Sequence, residues 1–483
     1  MAHDGVLVAD ATAAALHPLS TDLPRAPPRR NMFALVCAML AYLTTTLMGY
    51  NLALMSGAQL FIREDLGLTD VEIEVLAGSV NLFMLLPIVG GGWAANGLGR
   101  RGTLLLANAS LMAGAIVMSL GGNYAALMAA RLITSVGAGF CRVVAPVYVA
   151  EISPASTRGV LSSLLDMFLN VGFLLSYVSN YAFAGLPVHL GWRVMYAVGA
   201  IPPVFIAAGV LAVPESPRWL AMRGRHGDAR AVLVRTSDTT AEADLRLEEI
   251  KQAVDAPHSA GAGGLWKELF GRPSTSLRRI LTCVVGLQFF QQVSGVETVV
   301  LYSPLVFKKA GMSSNTAVLG ATVAVGVVKT FFVVVAILFS DRAGRRPLLL
   351  ASTAGVAVTM ASLALALRVR AASALISVAA CLASVMAFVA AISVGLGPVV
   401  GTYCAEIMPL RLRAQGASLG VAVNRLMCGA VSMTFISLAH EITMPGCFFL
   451  YAGTAVAGYV FVYLRVPETR GRSLEDMDVV FAQ

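Results

Sequence analysis

Apolar residues along this chain come in long blocks that polar or charged segments interrupt at intervals. A run such as Leu348 to Leu367 does not alternate, so it lacks the period of two that a membrane β-strand of about ten residues would show. As a helix, roughly 20 such residues cross about 30 Å of hydrocarbon. Twelve blocks reach that length, near 32–55, 73–95, 102–121, 125–148, 162–184, 192–213, 280–303, 316–339, 347–367, 373–400, 415–439 and 446–464. The expected fold is an all-α membrane protein with twelve transmembrane helices in two pseudo-symmetric six-helix bundles.

Composition agrees and removes one large class. Hydrophobic residues make up 57% of the 483 and charged residues 13%, about half the roughly 25% of soluble chains; the mean hydropathy is +0.76. Too little charge remains to cover a soluble surface, which excludes a soluble enzyme. The 45 glycines suit helices that approach closely in lipid.

An even span count puts both ends on one side, and the basic residues choose the side. With both termini cytoplasmic, 25 Lys and Arg lie inside and 6 outside, and four, Arg131, Arg142, Lys329 and Arg425, fall within spans. The net charge of +8 therefore reads as topology and not as nucleic-acid binding. The first 31 residues lack the basic start, apolar core and cleavage site of a signal peptide and read as a disordered, Pro-containing tail. The seven Cys sit in or beside spans without paired spacing, and six scattered His suggest no metal cluster. No nucleophile and base set or nucleotide loop points to an enzyme. No cofactor is expected. The plasma membrane is expected over the tonoplast.

Three pairs of segments repeat at nearly constant offset. Asn96-Gly-Leu-Gly-Arg-Arg101 returns as Asp341-Arg-Ala-Gly-Arg-Arg346; Ala150-Glu-Ile-Ser-Pro154 through Arg158 returns as Ala405-Glu-Ile-Met-Pro409 through Arg413; Pro214-Glu-Ser-Pro-Arg218 returns as Pro467-Glu-Thr-Arg470. The chain divides accordingly into a tail (1–31), a six-helix bundle (32–213), a polar linker (214–279), a second bundle (280–464) and a second tail (465–483). A parallel repeat places a substrate site between the halves near the midplane. The repeated acids and bases, Glu151, Arg158, Arg101, Glu215, Asp341, Arg346, Glu406 and Arg413, are expected to latch the cytoplasmic face when it is shut.

The ordered set Gly99-Arg-Arg101, Gly344-Arg-Arg346, Pro214-Glu-Ser-Pro-Arg-Trp219, Gln291-Gln-Val-Ser-Gly295 and Pro467-Glu-Thr-Arg-Gly471 resembles the sugar porters of the major facilitator superfamily, from about residue 35 to 478. Tyr177-Val-Ser-Asn-Tyr181, Val300-Leu-Tyr-Ser-Pro304 and Leu410 through Ser418 look like plant polyol/monosaccharide transporters. The resemblance implies a secondary carrier that moves a polyol or monosaccharide by alternating access. Its partners would be that small solute and the lipid bilayer, and it would work as a monomer without nucleic acid. The competing class is a non-transporting sugar sensor.

Polar side chains within spans are costly unless they face a cavity or a partner. By resemblance Gln291, Gln292 and Asn424 bind sugar hydroxyls. Glu297 and Lys329 stand where relatives have Asn, which suggests a buried pair that also bonds hydroxyls. Asp166 stands where relatives have Gln or Glu; Tyr302 and Tyr403 are candidate aromatic walls. Ser393 replaces a Glu, and Gly401 replaces an aromatic, shrinking one wall. Proton-coupled relatives carry Asp in a Gly-Tyr-Asp segment paired with an Arg; here the segment is Gly49-Tyr50-Asn51 while Arg131 is kept. Asn51 cannot titrate, so the resemblance favours H⁺ symport while this position favours uncoupled uniport, unless Asp166 or Glu297 carries the proton. Arg142, where relatives have an apolar residue, lies nearly on the helix face of Arg131 and is expected to reach a carboxylate such as Asp166 across the bundle. Asn96 in place of an Asp should weaken the first-half latch.

Overall fold

The computed structural model describes residues 31–154, 156–255, 271, 274–369, 374–409 and 412–469, and every regular element among them is helical. Both tails, read from the sequence at 1–31 and 465–483, lie mostly outside the described residues. The first half comprises α1 (Met32–Leu66), α2 (Asp70–Phe83), α3 (Leu85–Leu120), α4 (Tyr124–Ile152), α5 (Arg158–Ala182), α6 (Val188–Gly199) and α7 (Pro202–Ala212). The linker forms α8 (Pro217–Met222), α9 (His226–Thr236) and α10 (Thr240–Asp255). The second half comprises α11 (Thr275–Val293), α12 (Val296–Ala310), α13 (Asn315–Ala343), α14 (Arg345–Arg368), α15 (Ala374–Val394), α16 (Pro398–Ile407), α17 (Arg413–Ser432), α18 (Phe435–Ile442) and α19 (Met444–Arg465).

Nine helical stretches among the described residues are long and apolar enough to cross a bilayer, and the bent pair α17–α18 makes a tenth. The stretch from Asp70 to Leu120 has 51 residues, about 77 Å at 1.5 Å per residue, and must cross twice. It turns at Gly99, whose φ of 84° and ψ of 167° leave helical geometry. With that division and the more polar α5, the crossings number twelve.

Besides the break at Met84 between α2 and α3, four blocks that read as unbroken spans are interrupted. The run at 192–213 breaks before Pro202, that at 280–303 at Gly295 (φ 81°), that at 373–400 before Pro398, and that at 415–439 bends by 48° between α17 and α18. Proline lacks the N–H that would continue the ladder, and neighbouring helices re-satisfy the freed carbonyls. Hydropathy registers none of this.

Apolar side chains such as Leu86, Trp93, Phe205, Leu338 and Leu375 point outward where lipid would sit. Since lipid is as apolar as leucine, close backbone approach holds the helices together. At the crossing of α1 and α5, a side chain on Gly49 would meet the Leu169 carbonyl and one on Gly172 the Thr46 carbonyl.

The linker, expected only as a polar connection, builds its own small core from Leu220, Ala229, Leu233, Ala243 and Leu247. It docks on the first half: Asn31 Nδ2 donates to the carbonyls of Arg235 and Ser237 (2.9 Å each), and Arg246 donates to the Glu151 carbonyl at 3.0 Å. On its wet surface the hydrogen bond from Arg230 holds the Asp244 carboxyl below the usual carboxylate range. We call this end of the molecule, which also holds the described chain ends Asn31 and Thr469, the linker face, and the opposite end the far face. The halves meet where α5 lies along α13, α2 along α17 and α1 against α12.

Candidate substrate site

The linker face holds the same polar lock twice. At each copy a glycine in a conformation closed to other residues, Gly99 and Gly344 (φ 86°, ψ 158°), turns two successive N–H groups onto one carboxylate. Glu215 accepts from Arg100 and Arg101 (2.9 and 3.1 Å), and Glu468 from Arg345 and Arg346 (3.0 Å each). A second carboxylate takes the guanidinium: Arg100 pairs with Glu151 at 2.9 Å, and Arg345 with Glu406 at 3.1 Å. Ser216 and Thr469 cap those carboxylates at 2.5 and 2.9 Å. Tyr148 and Tyr403 donate to the carbonyls of Pro214 and Pro467, both at 2.9 Å.

Three expectations change here. The pairing guanidinium is the first Arg of each doublet; Arg101 and Arg346 lend their backbone N–H, the Arg101 side chain forms no ion pair among the described residues, and that of Arg346 reaches the Tyr463 carbonyl at 2.7 Å. Tyr403 is not a wall of the sugar site, since it is the repeat partner of Tyr148, fully buried with its hydroxyl spent. Each bond found stays within one half, so these groups brace a half and do not join the two. The side chains of Arg158, Asp341 and Arg413 lie outside the described residues. Asn96 Oδ1 receives Arg100 at 3.4 Å, and its carbonyl receives Trp219 and Arg223.

Bonds between the halves lie toward the far face, apart from one at mid-depth, where Arg425 Nη1 of α17 donates to Asn81 Oδ1 of α2 at 3.0 Å. Ser56 Oγ donates to the Val300 carbonyl at 3.1 Å and Gln59 Nε2 to that of Leu301 at 2.9 Å. Glu74 of α2, 2% exposed, accepts from the N–H groups of Ile436 and Ser437 (2.9 and 3.0 Å) and from the Ser437 hydroxyl. A carboxylate thus caps the first turn of α18, where unpaired N–H groups and the helix dipole favour negative charge. The sequence reading missed Glu74, whose partners lie 362 and 363 residues away.

At mid-depth an amide cluster forms. Asn424 Nδ2 donates to Gln288 Oε1 and Gln291 Oε1, each at 2.8 Å, and Gln292 Nε2 donates to Asn424 Oδ1 at 3.3 Å. Gln291 Nε2 donates to the Leu396 carbonyl at the α15–α16 break. Gln292 Oε1 is buried without a partner, an acceptor that a hydroxyl could satisfy. Gln288, one helical turn before Gln292, is a member the sequence reading overlooked although the spacing was visible. Gly401, expected as a reduced wall, is exposed, and a side chain there would meet nothing within 4 Å. Tyr302 does not line the site: its hydroxyl donates to the Ser432 carbonyl at 2.7 Å and its ring stacks on Phe435. Ser393 is buried with its hydroxyl unpartnered.

The remaining charges do not pair as expected. Glu297 and Lys329 form no ion pair among the described residues; Lys329 Nζ instead sits 4.2 Å from the centre of the Phe173 ring. Arg142 and Asp166 form no ion pair or hydrogen bond with each other among the described residues. All four are half-buried, so water can serve them. Asn51 donates to the Leu47 carbonyl at 3.0 Å, while Arg131, 1% exposed, donates to the carbonyls of Leu76 and Ala77 (2.9 and 3.0 Å) and leaves Nη1 without a partner. Among the described residues, backbone carbonyls are the hydrogen-bond acceptors of that guanidinium. All seven cysteines are buried and free, and no metal-ligating group of three occurs among the described residues.

Residues 37–481 match the family described as "Sugar (and other) transporter". The chain is 46% identical over 475 residues to polyol transporter 5 of Arabidopsis thaliana, covering 95% of this chain and 88% of that one. It is 30% identical over 443 residues to the galactose-proton symporter of Escherichia coli, covering 92% and 93%. The fold matches the xylose transporter XylE from E. coli in a partially occluded inward-open conformation, with TM-score 0.79, 26% identity and coverage of 92% of this chain and 100% of that one. Twice-built locks, twelve crossings and a match over nearly the whole length make this chain a multi-pass membrane protein, not an enzyme, of the sugar transporter family in the major facilitator superfamily.

Proposed function

We propose that the protein carries a polyol or monosaccharide across the membrane, exposing the amide cluster alternately to the two faces. The observation that carries this reading is the convergence of Gln288, Gln291, Gln292 and Asn424 at mid-depth. Four amides offer donors and acceptors that replace the water a polyhydroxylated solute sheds. Seals toward the far face and no described bond between the halves at the linker face suit a state open toward the linker. Taking the basic linker face as cytoplasmic, that state faces inward. We place the protein in the plasma membrane, acting as a monomer. Glu151, Glu215, Glu406 and their arginines serve gating by keeping each half rigid as it rocks.

For coupling we favour H⁺ symport, supported by likeness to a galactose-proton symporter. The proton carrier would be Asp166 or Glu297, because Asn51 cannot titrate. One observation favours uncoupled uniport as a second reading: among the described residues, Asn51 and Arg131 each bond only backbone carbonyls. Uptake of labelled sorbitol into liposomes, with and without an imposed pH gradient, separates the two; uptake indifferent to gradient and protonophore rules out symport. Gln292→Ala should lower uptake at least about tenfold, the equivalent of one or two lost hydrogen bonds; intact uptake would refute the site.

A further inference from the structure

Arg425 of α17 joins the amide cluster to the opposite half. Its Nε and Nη2 lie 3.1 and 2.6 Å from Asn424 Oδ1, and its Nη1 donates to Asn81 Oδ1 of α2 at 3.0 Å. Asn81 and Asn424 are both buried, so these contacts are shielded from water. Asn81 stands seven positions after Glu74, about two helical turns, so the two side chains leave α2 on one face. Between them is Gly78, where a side chain would strike Ser432 and Met433 at the break between α17 and α18. One seam therefore runs along α2 from the far face to the substrate site. Glu74 caps α18, Gly78 lets the backbones meet, and Asn81 takes Arg425. Opening the far face requires this seam to part.

Parting leaves a donor stranded. A guanidinium only donates, and once Asn81 withdraws, Nη1 loses its acceptor in a shielded place, a penalty of roughly tenfold in the equilibrium. The substrate site offers a replacement. Asn424 Oδ1 has two lone pairs but receives Nε and Nη2 of Arg425 and Nε2 of Gln292, while Gln292 Oε1 is buried without a partner. A solute hydroxyl that donates to Gln292 Oε1 brings an oxygen with free lone pairs to this crowded point. We propose that Arg425 exchanges partners, holding Asn81 in the empty carrier and a solute hydroxyl in the loaded one, and so couples occupancy of the site to opening of the far face. A solute shifts a conformational equilibrium only through such a difference between the two states. This inference deepens the carrier reading above and rests on it.

The test uses the full-length chain in liposomes with Ser56→Cys on α1 as reporter. That position is fully buried and meets a thiol reagent only when the far face opens; the seven native cysteines are also buried, and the chain without the reporter gives the background. Labelling rates are compared with and without sorbitol or glucose. The solute is expected to raise the rate about tenfold in the reporter alone and also with Glu74→Gln, which loosens the seam two turns away from Arg425. With Asn81→Ala labelling should already be fast, and the solute should add less than about twofold. Asn81→Asp, which keeps an acceptor, should restore the response. A ratio measured on one variant is insensitive to the amount of folded protein. No response in the reporter alone, a full response with Asn81→Ala, or a response lost equally with Glu74→Gln would each overturn the inference. The expected labelling pattern without uptake of either solute would instead overturn the carrier reading and leave the coupling standing.

Discussion

Carboxylates hold both ends of the bundle, but they bind different partners. At the linker face Glu151, Glu215, Glu406 and Glu468 accept from groups of their own half; toward the far face Glu74 accepts from the opposite half. A bond within a half persists while the halves rock, so it can be strong and doubled. A bond across the halves must break whenever the far face opens, so it has to be limited to a few groups. The linker-face locks therefore shape each rigid body, and the far-face seal sets which conformation is populated.

Substitutions can break this comparison, starting with the largest effect. Gly99→Val would force a β-branched residue into glycine-only backbone and drive its side chain into the Glu215 carboxylate. A loss above about 5 kcal/mol is expected, read as absence of a monodisperse folded protein after extraction; a normal yield would show that the turn is not structural. Glu151→Gln should cost about 3 kcal/mol in thermal unfolding, since it strands a buried guanidinium. Glu406→Gln should cost about 2 kcal/mol, because its pair is more open, with side-chain exposures of 16% and 27% against 8% and 10% in the first half. Equal losses would mean that burial does not separate the copies. Glu74→Gln should leave stability nearly intact and shift the equilibrium toward far-face opening by about 1.5 kcal/mol, roughly tenfold. Thiol labelling of a cysteine placed at Ser56 reads that shift, and unchanged labelling would remove Glu74 from the seal.

Legibility in the sequence followed the range of the interaction. The repeats showed that Glu151 and Glu406 are equivalent, and the same offset links Tyr148 with Tyr403; reading that offset would have kept Tyr403 out of the sugar site. Gln292 stood out as a buried amide in an apolar run, and Gln288 was visible four residues earlier. Glu74 could not be paired from sequence, because its donors lie on α18, at a break that no run of hydropathy marks. Arg425 was visible only as a cation within a span, because the Asn81 it bonds lies 344 positions earlier on a helix of the other half.

The sequence by itself determined the bilayer as solvent, the twelve crossings, the duplication and the polar side chains that lipid would not tolerate, because each depends on local composition and helix length. Which Arg of each doublet takes the carboxylate, which face is sealed and how Arg425 bridges Asn424 and Asn81 of the other half were settled by the tertiary structure. Those outcomes depend on backbone breaks and on contacts between segments hundreds of residues apart, and the distances between such segments are fixed by packing alone.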